Sequence, residues 1–336
     1  SNLMYKKFIV ALAAPLFCLL PAQLKAYPDT PENHTIALRH QMEEATTDKE
    51  KCAILEKIGQ ESTFQGMIFI SNYLGEKKLR KTAAKAATEI ILQHPEYNGT
   101  NVRMLLKTAM PYLKKSQRKA AQKYIDDNLS TEEGFVSIFN GKDLTGWKGL
   151  VANPIKRAQM SAEELAQAQE KADEQMYKDW QVVDGLLTYV GKGFDNLCTV
   201  RQYANFEMYV DWRLDPSGTE PDAGIYLRGT PQVQIWDIAR VNVGAQVGSG
   251  GLYNNQKNPS KPLCVADNKL GEWNSFYIKM VDDKVTVKLN GVTVVDNVVL
   301  ENYWDRSKPI FPCEQIEMQA HGSLVNFRDI YVKELR

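Results

Sequence analysis

The chain has 336 residues, with 41 Lys+Arg against 41 Asp+Glu and a formal net charge of zero. That balance gives no dominant basic patch and argues against nucleic acid or an anionic lipid surface as partner. A composition 24% charged and 43% hydrophobic is that of a globular protein rather than a disordered one, and the length suits two domains.

The first segment reads as an address. Lys6-Lys7 precede an apolar run from Phe8 to Leu20, and Pro21 and a small-residue cleavage site after Ala26 follow. At 13 residues the run is too short to cross about 30 Å of hydrocarbon as a helix. Residues 1–26 are therefore expected to be a secretory signal peptide, with an N-terminal membrane anchor as the alternative. Phe17 before Cys18 disfavours a lipid-attachment site. The expected location is periplasmic or secreted, with no membrane span in the mature chain.

A domain placed at 27–132 reads as helical. Leu79, Ala83, Ala86/Ala87 and Ile90 recur at spacings of three and four, as do Val102, Leu105, Leu106, Ala109 and Leu113. Pro95 and Gly99 punctuate between these runs, and Thr100 or Asn101 is expected to cap the second. Tyr73-Leu74 with Arg80-Lys81, and Tyr112-Leu113 with Arg118-Lys119, form an echo at 38–39 residues. That period suits a HEAT-like helical repeat, and an irregular bundle is the alternative. Without clustered His, Asp or Glu, the module reads as a scaffold or protein-docking element. Cys52, Cys198, Cys264 and Cys313 are too scattered for a metal site or a disulfide framework, and pairing among the last three stays open.

From about 133 the pattern changes to period two. Phe206, Met208, Val210 and Trp212 alternate with Glu207, Tyr209, Asp211 and Arg213. Val285, Val287 and Leu289 do the same before an Asn290-Gly291 hairpin turn, and Asp184-Gly185 is a second such turn. Ile316, Met318 and Ala320 alternate with Glu317, Gln319 and His321. Many short antiparallel strands of this kind mean an all-β sandwich or jelly roll over 133–336. A helical insertion at about 155–179 opens on the Ser161–Glu164 capping box; its weak stripe (Leu165, Ala168, Ala172, Met176) suggests a solvated decoration. The Gly- and Asn-rich stretch Ala239–Gly271 reads as a rim loop or a packed surface loop.

Eight motifs in this half stand in the order of one family. They are Phe139-Asn-Gly-Lys-Asp-Leu-Thr-Gly-Trp147, Asn205-Phe-Glu-Met208, Gly224-Ile-Tyr-Leu-Arg-Gly229, Val233-Gln-Ile-Trp-Asp237, Gly248-Ser-Gly-Gly-Leu-Tyr-Asn254, Gly271-Glu-Trp-Asn274, Leu289-Asn-Gly291 and Glu317-Met-Gln-Ala-His-Gly322. Over about 135–336 the chain resembles the 3-keto-disaccharide hydrolase family. The resemblance implies a concanavalin A-like or laminin G-like jelly roll acting on glycosides whose C3 hydroxyl is oxidised to a ketone. Two departures stand out. Asp222-Ala-Gly224 lacks the serine the family carries before its Ile-Tyr-Leu-Arg strand, and Gln232 stands where many relatives have Glu. If the lost hydroxyl contacts sugar, specificity changes.

Strand parity then nominates a face. With Ile225, Leu227, Val233, Ile235, Ile316 and Met318 inward, the residues Tyr226, Arg228, Gln232, Gln234, Trp236, Glu317, Gln319 and His321 point outward. Asp211 and Arg213 do so on their own strand. If these strands share one concave sheet, the result is an amide-rich surface for a neutral sugar. A 3-keto sugar is cleaved by removing the C2 proton, expelling the C1 substituent by β-elimination and adding water. That chemistry needs a base, an electrophile for the enolate oxygen and a proton donor. The expected assignments are His321 as base, since histidine titrates near neutrality, and Arg228 as the cation on the ketone oxygen. Glu317 or Asp211 would orient the histidine or protonate the leaving group. Gln232, Gln234, Trp236, Gln319, Tyr226, Tyr253 and Lys257 would bind substrate, with Asn254 beside them. A divalent cation is an alternative electrophile, with Asp237, Glu317 and His321 as conceivable ligands that no spacing requires. Structural roles compete at each position: a turn histidine, a salt-bridged arginine, or Asp211 as a ladder partner of Arg213 or another neighbour. Competing functions are a non-catalytic carbohydrate-binding module, a two-carboxylate glycosidase and a structural partner of a surface complex.

Overall fold

The structure is a computed structural model that describes residues 27–129 and 131–336. The segment read as a signal peptide lies outside the described residues. Among the described residues no helix is long and apolar enough to cross a membrane. The chain divides into two compact units at Val136/Ser137.

The first unit contains α1 (Pro31–Glu44), α2 (Asp48–Glu61), α3 (Phe64–Ser71), α4 (Arg80–Gln93), α5 (Thr100–Ala109) and α6 (Lys115–Asp127). Thr30, Thr47 and Thr63 cap the first three, each hydroxyl accepting from a backbone N–H three residues on. The alanines of α4 put its backbone close to its neighbours: Ala83, Ala84, Ala86 and Ala87 are buried, and α2, α3, α5 and α6 all pack on it. A Cβ on Gly59 of α2 would lie 2.9 Å from the Ala86 Cβ, so glycine sets that helix–helix distance. The sequence echo falls on two turn-plus-helix segments, Tyr73-Leu74 before α4 and Tyr112-Leu113 before α6. The cap of α5 is not the expected one. Gly99 holds that position with no side-chain bond, and the Thr100 hydroxyl donates instead to the Glu132 carbonyl at 3.1 Å.

The second unit is a two-sheet antiparallel sandwich. The smaller sheet has five strands in the order β2 (Trp147–Gly149), β5 (Leu197–Tyr203), β12 (Glu314–Gln319), β7 (Asp222–Leu227) and β8 (Thr230–Trp236). The larger has eight, the short β1 (Val136–Ser137) and seven in the order β11 (Val292–Val299), β10 (Lys284–Leu289), β9 (Asn274–Val281), β6 (Asn205–Leu214), β13 (Val325–Leu335), β4 (Leu186–Tyr189) and β3 (Trp180–Val183). The expected alternation holds strand by strand. Phe206, Met208, Val210, Trp212, Ile225, Leu227, Val233, Ile235, Val285, Val287, Leu289, Ile316 and Met318 all lie in one core between the sheets. Asp184-Gly185 and Asn290-Gly291 have the paired positive φ angles of two-residue hairpins, and Arg228-Gly229 is a third such turn, with φ of 55° and 69°.

Two expectations about connecting segments change. The helical insertion folds as α7 (Pro154–Gln159) and α8 (Ala162–Asp179), capped as expected by Ser161. However, α8 is docked on the sheet rather than solvated. Asp173 accepts from the Gly149 N–H at 2.9 Å and Gln169 donates to the Gly149 carbonyl at 2.8 Å, so the helix satisfies the edge strand β2. The stretch after β8 covers the opposite edge. Gly250 N–H donates to the Gln234 carbonyl at 2.8 Å, and Gln234 N–H to the Gly251 carbonyl at 3.0 Å. Cys198, Cys264 and Cys313 are free thiols and do not pair.

A Cβ at Gly149 would stand 2.1 Å from the Ala172 carbonyl oxygen, a backbone atom that cannot step aside. Gly149→Ala is expected to destabilise the sandwich by about 1–3 kcal/mol, read as a lowered thermal transition; an unchanged transition would show that α8 is not held against β2.

Candidate functional site

The pleat of the smaller sheet sorts its residues onto two faces. With Ile225, Val233, Ile235, Ile316 and Met318 sealed in the core, the opposite face carries three rows across β12, β7 and β8. Glu317 is paired with Tyr226, Gln319 with Gly224 and Gly224 with Gln234, and Asp222 with Trp236. His321, just beyond β12, continues the same parity. Ala223 faces the core, fully buried opposite Ile235. The serine hydroxyl missing at this position therefore has no route to a ligand, and the expected change in sugar specificity does not follow from it.

A cleft of about 350 Å³ opens over the β5–β12–β7 part of this face, lined by Asn153, Lys156, Phe194, Asn196, Tyr226, Trp304 and Gln319 among others. The insertion builds its wall. Arg157 on α7 donates to the Val151 and Ala152 carbonyls and to Glu314 and Gln315 of β12, all within 3.0 Å. This clamp holds Asn153 and Lys156 over the sheet. Asn196 is tied in from both sides: its carbonyl accepts from Leu150 N–H at 3.2 Å and its Oδ1 from Ala320 N–H at 3.0 Å. Gly224 is a dip in the floor. A Cβ there would come within 2.8 Å of Gln319 Oε1 and 2.9 Å of Gln232 Nε2, so the absence of a side chain lets the two amides lie over the strand. Gln319 Oε1 is buried and accepts no hydrogen bond from the protein.

Two acid–base groups lie on this face. Glu317 is 2% exposed and its Oε1 accepts from Asn196 Nδ2 at 3.4 Å. Burial pushes its carboxyl up to about 7, against the partial opposition of the Arg157 charge and the Asn196 bond. Burial likewise raises the Tyr226 phenol and the Cys198 thiol to about 12, helped in each by the Glu317 charge, so neither ionises readily. The second group is a pair. His321 Nδ1 lies 3.9 Å from Asp222 Oδ2. Asp222 also accepts from Gln234 Nε2 at 3.1 Å and Arg240 Nη1 at 3.1 Å. Its carboxyl is nevertheless raised, because burial outweighs the His321 and Arg240 charges that pull it down. The ring of Phe194, 70% exposed, stands edge-on to His321 at 5.1 Å.

The structure thus brings together His321, Glu317, Gln319, Tyr226, Gln232, Gln234 and Trp236, and it removes three expected members. Asp211 lies on β6 of the other sheet, with its side chain on that sheet's outer face. It accepts from the Ser275 hydroxyl at 2.6 Å and from Arg328 Nε at 3.1 Å, so Arg328 rather than Arg213 is its ladder partner. Arg228 occupies the β7–β8 turn, where its guanidinium donates to the Phe311, Pro312 and Asp282 carbonyls and to Asn205 Oδ1. It staples the turn and does not face the cleft. Lys257 does not line the cleft, and its backbone N–H donates to Glu301 at 2.9 Å.

Gln232 and Gln234 are on the expected face but covered, at 5% and 3% exposed, and are hydrogen-bonded to each other. Tyr253, with Trp236 and Gln234, lines a second cleft beyond β8. The expected cation set does not fit either. Among the described residues no three His, Cys, Asp or Glu side chains are grouped to hold a metal ion, and Asp237 turns to its own chain, accepting from Ala239 N–H at 3.0 Å. Sequence reasoning missed Asp222, which parity with Tyr226 identifies. It also missed Asn196, Arg240 and Lys156, which only the folding-over of connecting segments brings in.

The buried carboxyl makes stability depend on pH. Glu317 holds its proton up to about 7 when folded, against an ordinary value of 4.5. Its contribution is fully present below the ordinary value and is lost as pH rises through about 7. Glu317→Gln is expected to abolish that loss, on the order of 3 kcal/mol. Melting curves at pH 5 and pH 8 should show a steeper decline for the wild type than for the variant; parallel declines would mean the carboxyl titrates normally.

Comparison with known proteins places the chain. The 3-keto-alpha-glucoside-1,2-lyase-like domain family matches residues 134–333. Two structures from Parabacteroides distasonis ATCC 8503, provisionally named glycosyl hydrolases, are similar at 24% and 21% identity. Each covers 60% of this chain, with 94% and 99% of their own chains covered and TM-scores of 0.41 and 0.42. The carbohydrate-binding module CBM66 from Bacillus subtilis is similar at 8% identity over 56% of this chain and 96% of its own, with a TM-score of 0.34. The comparison with curated proteins returned no match. The chain belongs to the 3-keto-alpha-glucoside-1,2-lyase-like family and is a carbohydrate-active protein.

Proposed function

We propose that the sandwich unit cleaves 3-keto-glycosides by elimination and hydration. The observation that carries this reading is Glu317. It is a carboxyl held near neutrality by burial and flanked by Asn196 and Tyr226, which line the larger cleft. A group that titrates there can take a proton from carbon and return it. The ketone at C3 acidifies the C2 hydrogen. Glu317 accepts that proton, and the electron pair of the C–H bond moves into an enolate. The C1–O bond then breaks as the C1–C2 double bond forms, and the oxygen of the departing group takes a proton. Water adding across the double bond, hydroxyl to C1 and hydrogen to C2, completes a net hydrolysis.

The remaining groups fit the other requirements. Lys156 supplies the cation in the cleft that Arg228 was expected to supply, and with the Asn196 amide it suits charge developing on the enolate oxygen. Gln319 offers an unpartnered acceptor for a sugar hydroxyl. His321, 3.9 Å from Asp222, stands between Phe194 of the large cleft and the Asp222–Trp236 row leading to the second. That position suits a proton donor to the leaving oxygen. The geometry therefore favours exchanging the roles first expected, with Glu317 as base and His321 as acid. Export through the N-terminal segment belongs to the same reading.

The test is a matched glycoside and 3-keto-glycoside incubated with wild type, Glu317→Gln and His321→Ala. The keto compound should be consumed and its parent left intact. Glu317→Gln should lower kcat by about 10²–10⁴-fold while still binding, and wild-type kcat/KM should rise with pH and level off above about 7. A keto-glycoside that binds and is never cleaved would make the protein a binding module; equal cleavage of the parent would make it an ordinary glycosidase.

A further inference from the structure

Resting on that reading, we propose that the smaller cleft beyond β8 is a subsite for a flat, apolar group carried on C1 of the sugar, an aryl aglycone rather than a second sugar ring. The cleft measures about 160 Å³, and Trp236, Val243, Val247, Tyr253 and Pro262 supply its apolar walls. The Trp236 indole N–H is already spent on the Gly248 carbonyl at 2.7 Å. The larger cleft, by contrast, presents Asn153, Lys156, Asn196, Tyr226 and Gln319. A sugar ring carries hydroxyls around its rim that need partners once water is stripped away. The first cleft offers five such side chains beside Leu150, Phe194 and Trp304, whereas the second offers Gln234, Ser260 and Lys261 among its apolar walls and three glycines.

The mouth of the smaller cleft reinforces this assignment. Tyr253 packs edge-on against Trp236, with centroids 5.4 Å apart and planes at 78°, yet is 49% exposed. Its ring is thus fixed in place with much of its surface open. Val241 and Val243, on one short turn beside it, are 63% and 40% exposed. Apolar side chains gathered in the open at the rim of a cavity mark a ligand site.

Position links the two clefts. Gln319 lines the larger and Gln234 the smaller, and both are cross-strand partners of Gly224. They are two strand spacings apart, about 10 Å, and the Gln319 and Gln232 amides lie over the glycine between them. A ring held over Tyr226 and Gln319 would direct its C1 substituent across the Gln319 and Gln232 amides towards Trp236 and Tyr253. His321 and Asp222 would then stand beside the bond that breaks.

The test measures binding and turnover separately. Phenyl and methyl α-glucoside are titrated calorimetrically into the full chain, and their 3-keto forms are assayed for cleavage. Wild type should bind the phenyl compound about 10-fold more tightly than the methyl compound. Tyr253→Ala should bring that ratio towards one, and Tyr253→Phe should restore it. Equal affinities in wild type, or a ratio that survives Tyr253→Ala, would overturn the subsite. Selective binding without cleavage of either keto form would retain the subsite and remove the elimination chemistry. Cleavage without selectivity would do the reverse.

Discussion

Everything at the site depends on a single constraint, the two-residue period of the five-stranded sheet. Its inner face must be sealed against the larger sheet, and Ile225, Val233, Ile235, Ile316 and Met318 do so completely. Side chains at the intervening positions have no choice but the other face. That is why Glu317, Tyr226, Gln319, Gly224, Gln234, Asp222 and Trp236 form rows rather than a scatter. A one-residue slip would exchange the two sets, burying a carboxylate in the core and exposing its isoleucines. Register and chemistry are therefore fixed by the same apolar packing.

The face alone would be a wet polar surface, unsuited to hold a carboxyl near neutrality. The connecting segments change its dielectric character. Arg157 clamps the insertion onto β12, Asn196, tied to Leu150, donates to Glu317, and the Gly250–Tyr253 stretch covers the edge of β8. Water is excluded from around Glu317, and its charged form becomes costly. Gly224 lets the Gln319 and Gln232 amides lie over its strand, where a side chain would collide with both. Desolvation and shape thus come from one set of connecting segments, which also pair the two edges of the sheet.

Electrostatics on the two outer surfaces differ in kind. On the larger sheet Asp211 accepts from Ser275 and Arg328, and Trp273 is stacked by Arg213 and Arg328. On the smaller sheet Glu317 has one long hydrogen bond, Gln319 Oε1 has none from the protein, and Asp222 is raised despite two cationic neighbours. Incomplete satisfaction beside a cavity separates a site from a structural network.

The amino-acid order by itself determined the sandwich, its hairpins at Asp184-Gly185 and Asn290-Gly291, and the parity that puts Glu317, Gln319, His321, Tyr226 and Gln234 on one side. These are local properties, since turn residues and alternation are read within a few positions. It also carried the family, through motifs standing in order. Only the tertiary structure decided which strands share a sheet. Asp211 has the same outward parity as Glu317 but belongs to the opposite layer. Arg228 sits at a turn, where parity lapses and a long side chain swings towards the nearest carbonyls. Asn196, Lys156 and Arg240 join the site through contacts between segments distant in the chain. Such contacts leave no periodic trace, because they are selected by packing in three dimensions rather than by spacing in one.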